Sequence, residues 1–161
     1  MSAGDGNAWV HCHLGHRHWG RYGAAGLVLV RGARDEPAPR QILLQLRAAW
    51  THEGGTWGVP GGARDSHESI ETAAVREAEE EAGLDGAALK LPENPLLVGT
   101  DHGEWSYTYV LAFAPDDLTI GPPTQESEAL AWVDLDAVPG LALHSGFAAT
   151  WPAVQSWITT P

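Results

Sequence analysis

Two short apolar runs in the first third of the chain have the length and composition of β-strands. They cover 24–30 (AAGLVLV) and 41–47 (QILLQLR). The segment between them contains Pro37 and Pro39, which favour a loop. The two runs therefore predict a β-hairpin with a long connection over 31–40.

Further along the chain, the apolar positions repeat with a helical period. Apolar residues recur every four positions from Ile70 to Ala78, which predicts a helix over 67–82 with one buried face. Ser66 has the side chain expected of an N-cap, and Gly83 is the residue type that ends many helices.

The remaining apolar segments add three strands and a closing helix, at 95–102, 105–113, 129–135 and 146–158. The glycine-punctuated segment 9–23 and the Gly- and Pro-rich segment 48–68 predict no regular element. Strands on both sides of a central helix, without repeats or a linker, indicate a mixed α/β (α+β) fold. We expect a partly flexible N-terminal segment over 1–22 and a single domain over 23–161.

Composition narrows the classes of protein to which the chain can belong. Its 161 residues, 43% of them hydrophobic, suffice to bury the core of one domain. A net charge of −12 argues against binding to duplex nucleic acid or to an anionic membrane, although a cation could bridge the protein to a phosphate-bearing substrate. Cys12 is the single cysteine, so no internal disulfide forms and a cytoplasmic location is expected.

Four glutamates crowd into the segment REAEEEAGL, 76–84. At about 100° per residue, Glu77, Glu80 and Glu81 share an arc of roughly 100°, and Glu79 points nearly opposite, toward solvent. Three carboxylates at the edge of a buried face repel one another and take up protons unless a cation compensates them. Mg²⁺ suits such a site, because it prefers oxygen ligands and bridges carboxylates to phosphates.

The spacing around this helix is more specific than the glutamate run, which by itself is typical of a solvated face. From Gly62, the chain continues with five residues, Glu68, seven residues and then REAEEEAGL over 76–84. This pattern resembles the Nudix box, GX5EX7REUXEEXGU, in which U is a bulky aliphatic residue. Every fixed position matches. Ala78 departs from the pattern by being smaller than usual, which affects packing rather than catalysis.

The resemblance implies a Nudix fold, in which a mixed β-sheet lies between helices and a loop-helix-loop motif is catalytic. It also implies hydrolysis of a nucleoside diphosphate linked to another moiety, with Mg²⁺ or Mn²⁺ as cofactor. The implied metal ligands are Glu77, Glu80, Glu81 and the carbonyl of Gly61. Glu77 is implied as the general base, and Glu77→Gln or Glu81→Gln is expected to abolish activity nearly completely.

The other box residues are implied to support these carboxylates. Arg76 and Glu68 are expected to pair on a similar side of the predicted helix and to orient the catalytic residues. Gly62 and Gly83 are implied as structural residues. Glu79 occupies the free position of the box and is expected to be dispensable.

Three residues outside the box are further candidates. Glu126 stands six residues before Trp132, as does an additional metal-binding or catalytic glutamate in MutT-type members of the family; Glu128 is the alternative. The resemblance also implies a nucleotide contact for Arg47, and Trp57 could stack on a base. In the alternative interpretation these are ordinary surface or core residues.

The histidine-rich segment contains five residues of the two types most common in zinc sites: His11, Cys12, His13, His16 and His18. They fit a structural zinc site poorly, because such sites combine four ligands at recognisable spacings, usually on separate elements. A substrate-side or edge-strand role for His16, His18 or Tyr22, or plain surface packing, is the alternative.

The box leaves the substrate open. ADP-ribose-specific members of the family often carry a proline where this chain has Gly99, and dinucleotide-specific members a tyrosine where it has Asp101 and His102. We therefore expect a nucleoside triphosphate or deoxynucleoside triphosphate to be cut to monophosphate and pyrophosphate, as in the clearance of oxidised nucleotides, by a monomer or homodimer. The alternatives are an ADP-ribose, nucleotide-sugar or dinucleotide pyrophosphatase, a non-catalytic nucleotide-binding module, and an isopentenyl-diphosphate isomerase, which needs a catalytic cysteine.

Overall fold

The computed structural model describes residues 4–32, 40–103 and 105–159. Within these ranges the strands are Trp9–His11 (β1), Arg17–Trp19 (β2), Ala24–Arg31 (β3), Gln41–Arg47 (β4), Trp57–Gly58 (β5), Gly61–Ala63 (β6), Leu96–Asp101 (β7), Ser106–Phe113 (β8) and Ser127–Asp134 (β9). The α-helices are Ile70–Ala82 (α1) and Ser145–Thr159 (α2), and 3-10 helices lie at Gly86–Ala88 and Leu135–Gly140.

The central strand of the main sheet is β3. One of its edges pairs in parallel with β8 over seven residues. Its other edge is shared, because β6 pairs with its first three residues and β4 with its last two, both antiparallel. In turn, β4 pairs with β5 and β9, and β8 pairs with β7. Since β3 and β4 stay paired only at one end, the segment that carries β5 and β6 lies between them at the other end.

Side chains of β3 alternate between the two faces of the sheet, and each set packs against a different helix. Leu27 and Leu29 pack against α1, whose small buried residues allow close approach: Ala73, Ala74, Ala78 and Ala82. Val28 and Val30 pack on the opposite face with Trp151 and other side chains of α2. A mixed sheet between helices confirms the predicted fold class, and complete burial of each leucine contributes about 1.5–3 kcal/mol.

The N-terminus of α1 lies three residues later than predicted, at Ile70. Ser69, and not Ser66, is the N-cap, because its side-chain oxygen accepts a hydrogen bond from Thr72 N at 3.1 Å. Ser66 belongs to the preceding turn, where its backbone N–H donates to the Asp5 carboxylate at 2.8 Å. The predicted helix therefore included residues 67–69, which lie before the first residue of α1 in the structure.

The last residue of α1 is Ala82, and Gly83 caps the helix, as predicted. Gly83 has a left-handed φ of 64°, and its N–H donates to Glu79 O at 3.0 Å. A Cβ on Gly83 would also lie 3.0 Å from the Cα of Gly121. Both backbone conformation and packing therefore favour glycine at this position.

Short strands form where the sequence predicts none. A two-stranded hairpin of β1 and β2 lies within 9–23, and β5 and β6 lie within 48–68. Each has only two or three residues, which is too short for a periodic pattern to mark it. The other predicted strands and the closing helix are confirmed to within two residues at each end. Most of the loop predicted over 31–40 lies outside the described residues. In the described part of the chain, no helix is long and apolar enough to cross a membrane.

Candidate active site

A cleft of about 900 Å³ lies beside α1 and the segment between β3 and β4. Four carboxylates line it: Glu77, Glu81 and Glu126 near α1, and Glu53 at the rim. Six Trp, Tyr and Phe side chains line it as well: Trp9, Trp19, Trp105, Tyr107, Tyr109 and Phe147. A single cleft therefore combines oxygen ligands for a cation with flat apolar rings suited to a nucleobase.

Glu77 is held between the loop before α1 and the neighbouring arginine. Arg76 Nη1 donates to Glu77 Oε1 at 3.0 Å. The carboxylate lies against the backbone of Gly62, because a Cβ on Gly62 would be only 2.5 Å from Glu77 Cδ. Gly62 itself pairs with Ala25 of β3. The sheet therefore fixes the surface against which Glu77 rests.

Glu81 enters the cleft one turn further along α1. Gly61 N donates to Glu81 Oε2 at 3.1 Å. Burial raises the pKa of Glu81 well above its usual value, and the charge of Glu77 raises it further, whereas the hydrogen bond from Gly61 lowers it. The Tyr107 hydroxyl also lies close to Gly61, since a Cβ on Gly61 would be 2.7 Å from it.

The crowded carboxylates match the chemistry of a divalent-cation site. Burial raises the pKa of Glu77 to about 7; Arg76 opposes this shift, and the charges of Glu80 and Glu126 reinforce it. Carboxylate oxygens are the ligands that Mg²⁺ and Mn²⁺ prefer, and such a cation would remove the repulsion among them. The donor set therefore fits a hard divalent metal.

Arg76 connects the loop before α1 to the helix. Its Nε and Nη2 donate to the two carboxylate oxygens of Glu68 at 3.0 and 2.6 Å, and Nη2 also donates to Ala63 O at 3.0 Å. Glu68 Oε1 in turn accepts from Asp65 N at 2.9 Å. The predicted contact between Arg76 and Glu68 is present, but Glu68 lies in the turn before α1 and not on the helix.

The other two glutamates of the box lie away from the cleft. Glu79 is exposed, and its Oε2 accepts from Gly86 N at 3.1 Å, which agrees with its predicted orientation. Glu80 Oε1 lies 3.5 Å from Arg76 Nη1, and its side chain is 29% exposed and is not among those that line the cleft. Metal binding by Glu80 and by the Gly61 carbonyl stays a prediction.

The structure separates the two candidate glutamates of the later loop. Glu126 lines the cleft and lies close enough to raise the pKa of both Glu77 and Glu81. Glu128 does not line the cleft, and its Oε1 accepts from Ala49 N at 3.2 Å. The position of Glu126 therefore suits the predicted role, which stays a prediction.

The two predicted substrate contacts have different positions. Arg47 lines the cleft, its Nε donates to His52 O at 2.9 Å, and its charge acts on Glu81. Trp57 does not line the cleft, because it packs against the core that α2 covers; its neighbour Gly58 lines the cleft instead. The prediction that Trp57 contacts the substrate does not agree with this placement.

A polar cluster at the rim of the cleft was not predicted. Glu53 has an unusual positive φ of 52°, and its two carboxylate oxygens accept from the backbone N and the hydroxyl of Ser145, both at 2.8 Å. Glu53 Oε2 also lies 3.0 Å from His144 Nε2. The partners are more than 90 residues apart in sequence, so no local pattern marks the contact. The aromatic hairpin of β1 and β2 was missed for a related reason, since its strands are too short to predict.

Comparison with known proteins agrees with this geometry. The model of the NUDIX domain family matches residues 21–154. The chain therefore belongs to the Nudix family, and the fold and box together define an enzyme that hydrolyses diphosphate linkages of nucleotides with a divalent metal.

Individual relatives match over nearly the whole chain. A Mycobacterium tuberculosis protein named "Putative 8-oxo-dGTP diphosphatase 3" is 48% identical over 156 residues, which cover 95% of this chain and 70% of that protein. The crystal structure of a Nudix hydrolase from M. smegmatis, RenU, is 44% identical with a TM-score of 0.87, and the match covers 97% of this chain and 98% of that one. A Bifidobacterium longum nucleoside triphosphate pyrophosphatase/Nudix hydrolase fusion protein is 40% identical over 91% of this chain and 30% of its own length.

Proposed function

We propose that this enzyme hydrolyses a nucleoside triphosphate or deoxynucleoside triphosphate to the monophosphate and pyrophosphate. Its preferred substrate is an oxidised purine nucleotide such as 8-oxo-dGTP, and the metal that it uses is Mg²⁺. The observation that carries this proposal is the placement of the carboxylates and the aromatic rings in one cleft. The activity named for the M. tuberculosis relative supports the choice of substrate.

The residues that would hold the cation are Glu77, Glu81 and Glu126, with Glu80 and the Gly61 carbonyl as the predicted further ligands. When bound, Mg²⁺ would neutralise phosphate oxygens and lower the pKa of a water molecule. Glu77 is the carboxylate that accepts the proton of the attacking water, because Arg76 and Gly62 fix its position from two sides.

The remaining side chains of the cleft bind and orient the nucleotide. Arg47 lies near enough to Glu81 for their charges to interact, which places its guanidinium beside the carboxylates and suits it to a phosphate oxygen. The rings of Trp19 and Trp105 form an apolar surface for the base. A cleft of about 900 Å³ lies within the usual range of about 300–1,000 Å³ for small-ligand sites.

A substrate panel with product analysis tests the proposal. Purified enzyme with Mg²⁺ is given 8-oxo-dGTP, dGTP, ADP-ribose, a nucleotide sugar, a dinucleoside polyphosphate and capped RNA. We expect the highest kcat/KM with 8-oxo-dGTP, at least about tenfold above dGTP, with pyrophosphate as the released product. Preference for ADP-ribose, a sugar nucleotide or a dinucleotide would overturn the proposed substrate, and orthophosphate as product would overturn the proposed bond.

Cellular location and assembly are part of the same proposal. We place the enzyme in the cytoplasm, where the free thiol of Cys12 stays reduced and nucleotides are abundant. We expect a monomer or homodimer with no affinity for duplex nucleic acid or membrane, because its net charge is −12. Light scattering of the purified protein and binding assays with DNA and anionic vesicles measure both properties.

A further inference from the structure

Four potential metal ligands from two distant parts of the chain meet beside the cleft. They are the Cys12 Sγ and one ring nitrogen from each of His16, His18 and His102, and all four atoms lie within 4.8 Å of one another. The histidine-rich segment by itself fits a zinc site poorly, because its one cysteine and irregularly spaced histidines lie in a single segment. The structure adds His102 from the turn between β7 and β8, so the ligands come from separate elements.

The distances within the cluster are close to those of a tetrahedral metal centre. Cys12 Sγ lies 3.4 Å from His102 Nδ1, and His102 Nδ1 lies 2.8 Å from His18 Nε2. With metal–nitrogen bonds of about 2.0–2.1 Å and metal–sulfur bonds of about 2.3 Å, a tetrahedron separates its ligands by roughly 3.3–3.7 Å. Shifts of less than about 1 Å would bring the measured atoms to these spacings.

The backbone holds both parts of the cluster in place without the metal. Between β1 and β2, Cys12 N donates to His16 O at 3.0 Å, and Gly15, with a φ of 80°, donates to Cys12 O at 2.9 Å. Between β7 and β8, His102 N donates to Trp105 O at 2.8 Å. Two tight turns therefore present the four side chains to one point.

The protons of the cluster cannot satisfy all of its ligand atoms together. His102 Nδ1 lies within hydrogen-bond distance of both Cys12 and His18, and that nitrogen carries either one proton or one lone pair. A metal ion satisfies the sulfur and the three imidazole lone pairs simultaneously. The combination of one thiolate and three imidazoles in a tetrahedral arrangement is typical of Zn²⁺.

We propose that Cys12, His16, His18 and His102 bind one Zn²⁺ ion in a structural site distinct from the catalytic carboxylates. On binding, the Cys12 thiol releases its proton to solvent and coordinates as thiolate, while the three histidines coordinate as neutral rings. Four protein ligands complete the tetrahedron and leave no position open for substrate or water, which is the arrangement of a structural site.

Such an ion would fix the aromatic part of the cleft. The His18 ring stacks on Trp105, with centroids 4.1 Å apart and planes at 8°, and Trp105 Nε1 donates to Trp19 O at 3.2 Å. Both tryptophans line the cleft. Zinc would therefore join the β1–β2 hairpin to the β7–β8 turn and hold the rings that face the proposed nucleobase.

The zinc site is tested by measuring the metal content of the protein, which does not depend on hydrolase activity. Protein without a polyhistidine tag is treated with chelator, dialysed with Zn²⁺ and excess Mg²⁺, and analysed by plasma mass spectrometry after gel filtration. We expect one zinc per chain in the wild type, and its loss in Cys12→Ser and His102→Ala. His11→Ala, an exposed histidine of the same segment, and Glu81→Gln, from the carboxylate cluster, are expected to keep the zinc.

A second measurement on the wild-type protein avoids any folding defect of the variants. Because Cys12 is the single cysteine, a thiol reagent reports on it alone, and Zn²⁺ is expected to slow its reaction at least about tenfold. Replacement with Co²⁺ is expected to give tetrahedral absorption bands and a thiolate charge-transfer band. Less than stoichiometric zinc in the wild type, full zinc retention by both ligand variants, or thiol reactivity that zinc does not change would each overturn the proposal. All of these results are independent of hydrolase activity, so the zinc site and the proposed reaction stand or fail separately.

Discussion

Gly62 lies against the carboxylate of Glu77 so closely that a Cβ in its place would be 2.5 Å from Glu77 Cδ. Gly62 is fixed by pairing with Ala25 of β3, and Glu77 is fixed by Arg76. The glycine of the box therefore has a direct steric relationship with the predicted general base, and any side chain at position 62 must displace it.

Gly62→Ala is expected to lower kcat by about 100-fold, because a misplacement of about 1 Å is enough for such a loss. The melting temperature should change much less than the activity, since Glu77 can rotate away. Steady-state kinetics and thermal unfolding measure both quantities. Gly140→Ala is the matched control, because a Cβ at Gly140 meets no atom within 4 Å and is expected to leave both unchanged. A Gly62→Ala enzyme with normal kcat would contradict the steric account.

Arg76→Lys is expected to lower both stability and kcat. Lysine cannot reproduce the two hydrogen bonds to Glu68 at 3.0 and 2.6 Å, so the Glu68 carboxylate, which is 5% exposed, loses its planar partner. Breaking a buried ion pair lowers the free energy of unfolding by up to about 3–5 kcal/mol. Because Arg76 is partly exposed, we expect a smaller loss here. Urea unfolding measures the difference, with Arg21→Lys at the surface as control. Equal stability of Arg76→Lys and wild type would refute the role assigned to the pair.

Glu126→Gln is expected to lower kcat/KM by about 10- to 100-fold, whereas Glu128→Gln should stay close to wild type. Only Glu126 lines the cleft and acts electrostatically on Glu77 and Glu81. The loss should be smaller than that for a carboxylate on α1, because Glu126 lies on an exposed loop. Mg²⁺ titrations of activity show whether the variant needs more metal. If Glu128→Gln causes the larger loss, the assignment between the two glutamates is reversed.

Glu53→Gln is expected to destabilise the protein by about 1 kcal/mol near neutral pH, because Glu53 caps the N-terminus of α2 through Ser145. Burial alone would raise the pKa of Glu53, but the hydrogen bonds from Ser145 and the charge of His144 outweigh it and lower the pKa below the ordinary 4.5. As pH falls, the unfolded chain therefore takes up the proton first. The stabilisation is complete above the unfolded pKa and is lost as pH falls through the folded one.

Urea unfolding of wild type and Glu53→Gln at about pH 7 and about pH 3 measures this effect. The difference in unfolding free energy between the two proteins is expected to shrink at the lower pH. Glu93→Gln, at an exposed position, serves as the control and should give no difference at either pH. A difference for Glu53→Gln that is the same at both pH values would mean that the carboxylate charge does not stabilise the cap.

The catalytic helix was predictable because its information is local. Helical spacing alone separates Glu79 from Glu77 and Glu81, and the structure places Glu79 outside the cleft and the other two inside it. Periodicity did not predict the start of α1. The sequence around Glu68 looks helical, but Glu68 accepts a hydrogen bond from Asp65 N in the turn that precedes the helix.

Two placements that depend on contacts between distant segments were not predicted, those of Trp57 and His102. Trp57 is close in sequence to the box, yet it packs toward α2, because β5 pairs with β4 and presents its two residues to opposite sides. His102 joins the histidine-rich segment only after the sheet brings the β7–β8 turn beside the first hairpin. Both outcomes depend on strand pairing over long sequence separations, which no local pattern encodes.

We infer that Glu81 and its neighbours on one side of α1 carry out hydrolysis, whereas Glu79 on the other side does not. The most direct test compares kcat of Glu81→Gln and Glu79→Gln with Mg²⁺ and the best nucleotide of the panel. Glu81→Gln is expected to lose about three to five orders of magnitude, which corresponds to about 4–7 kcal/mol of barrier, and Glu79→Gln to stay within about threefold of wild type. Equal losses in the two variants, or an active Glu81→Gln enzyme, would show that this side of α1 does not carry the reaction.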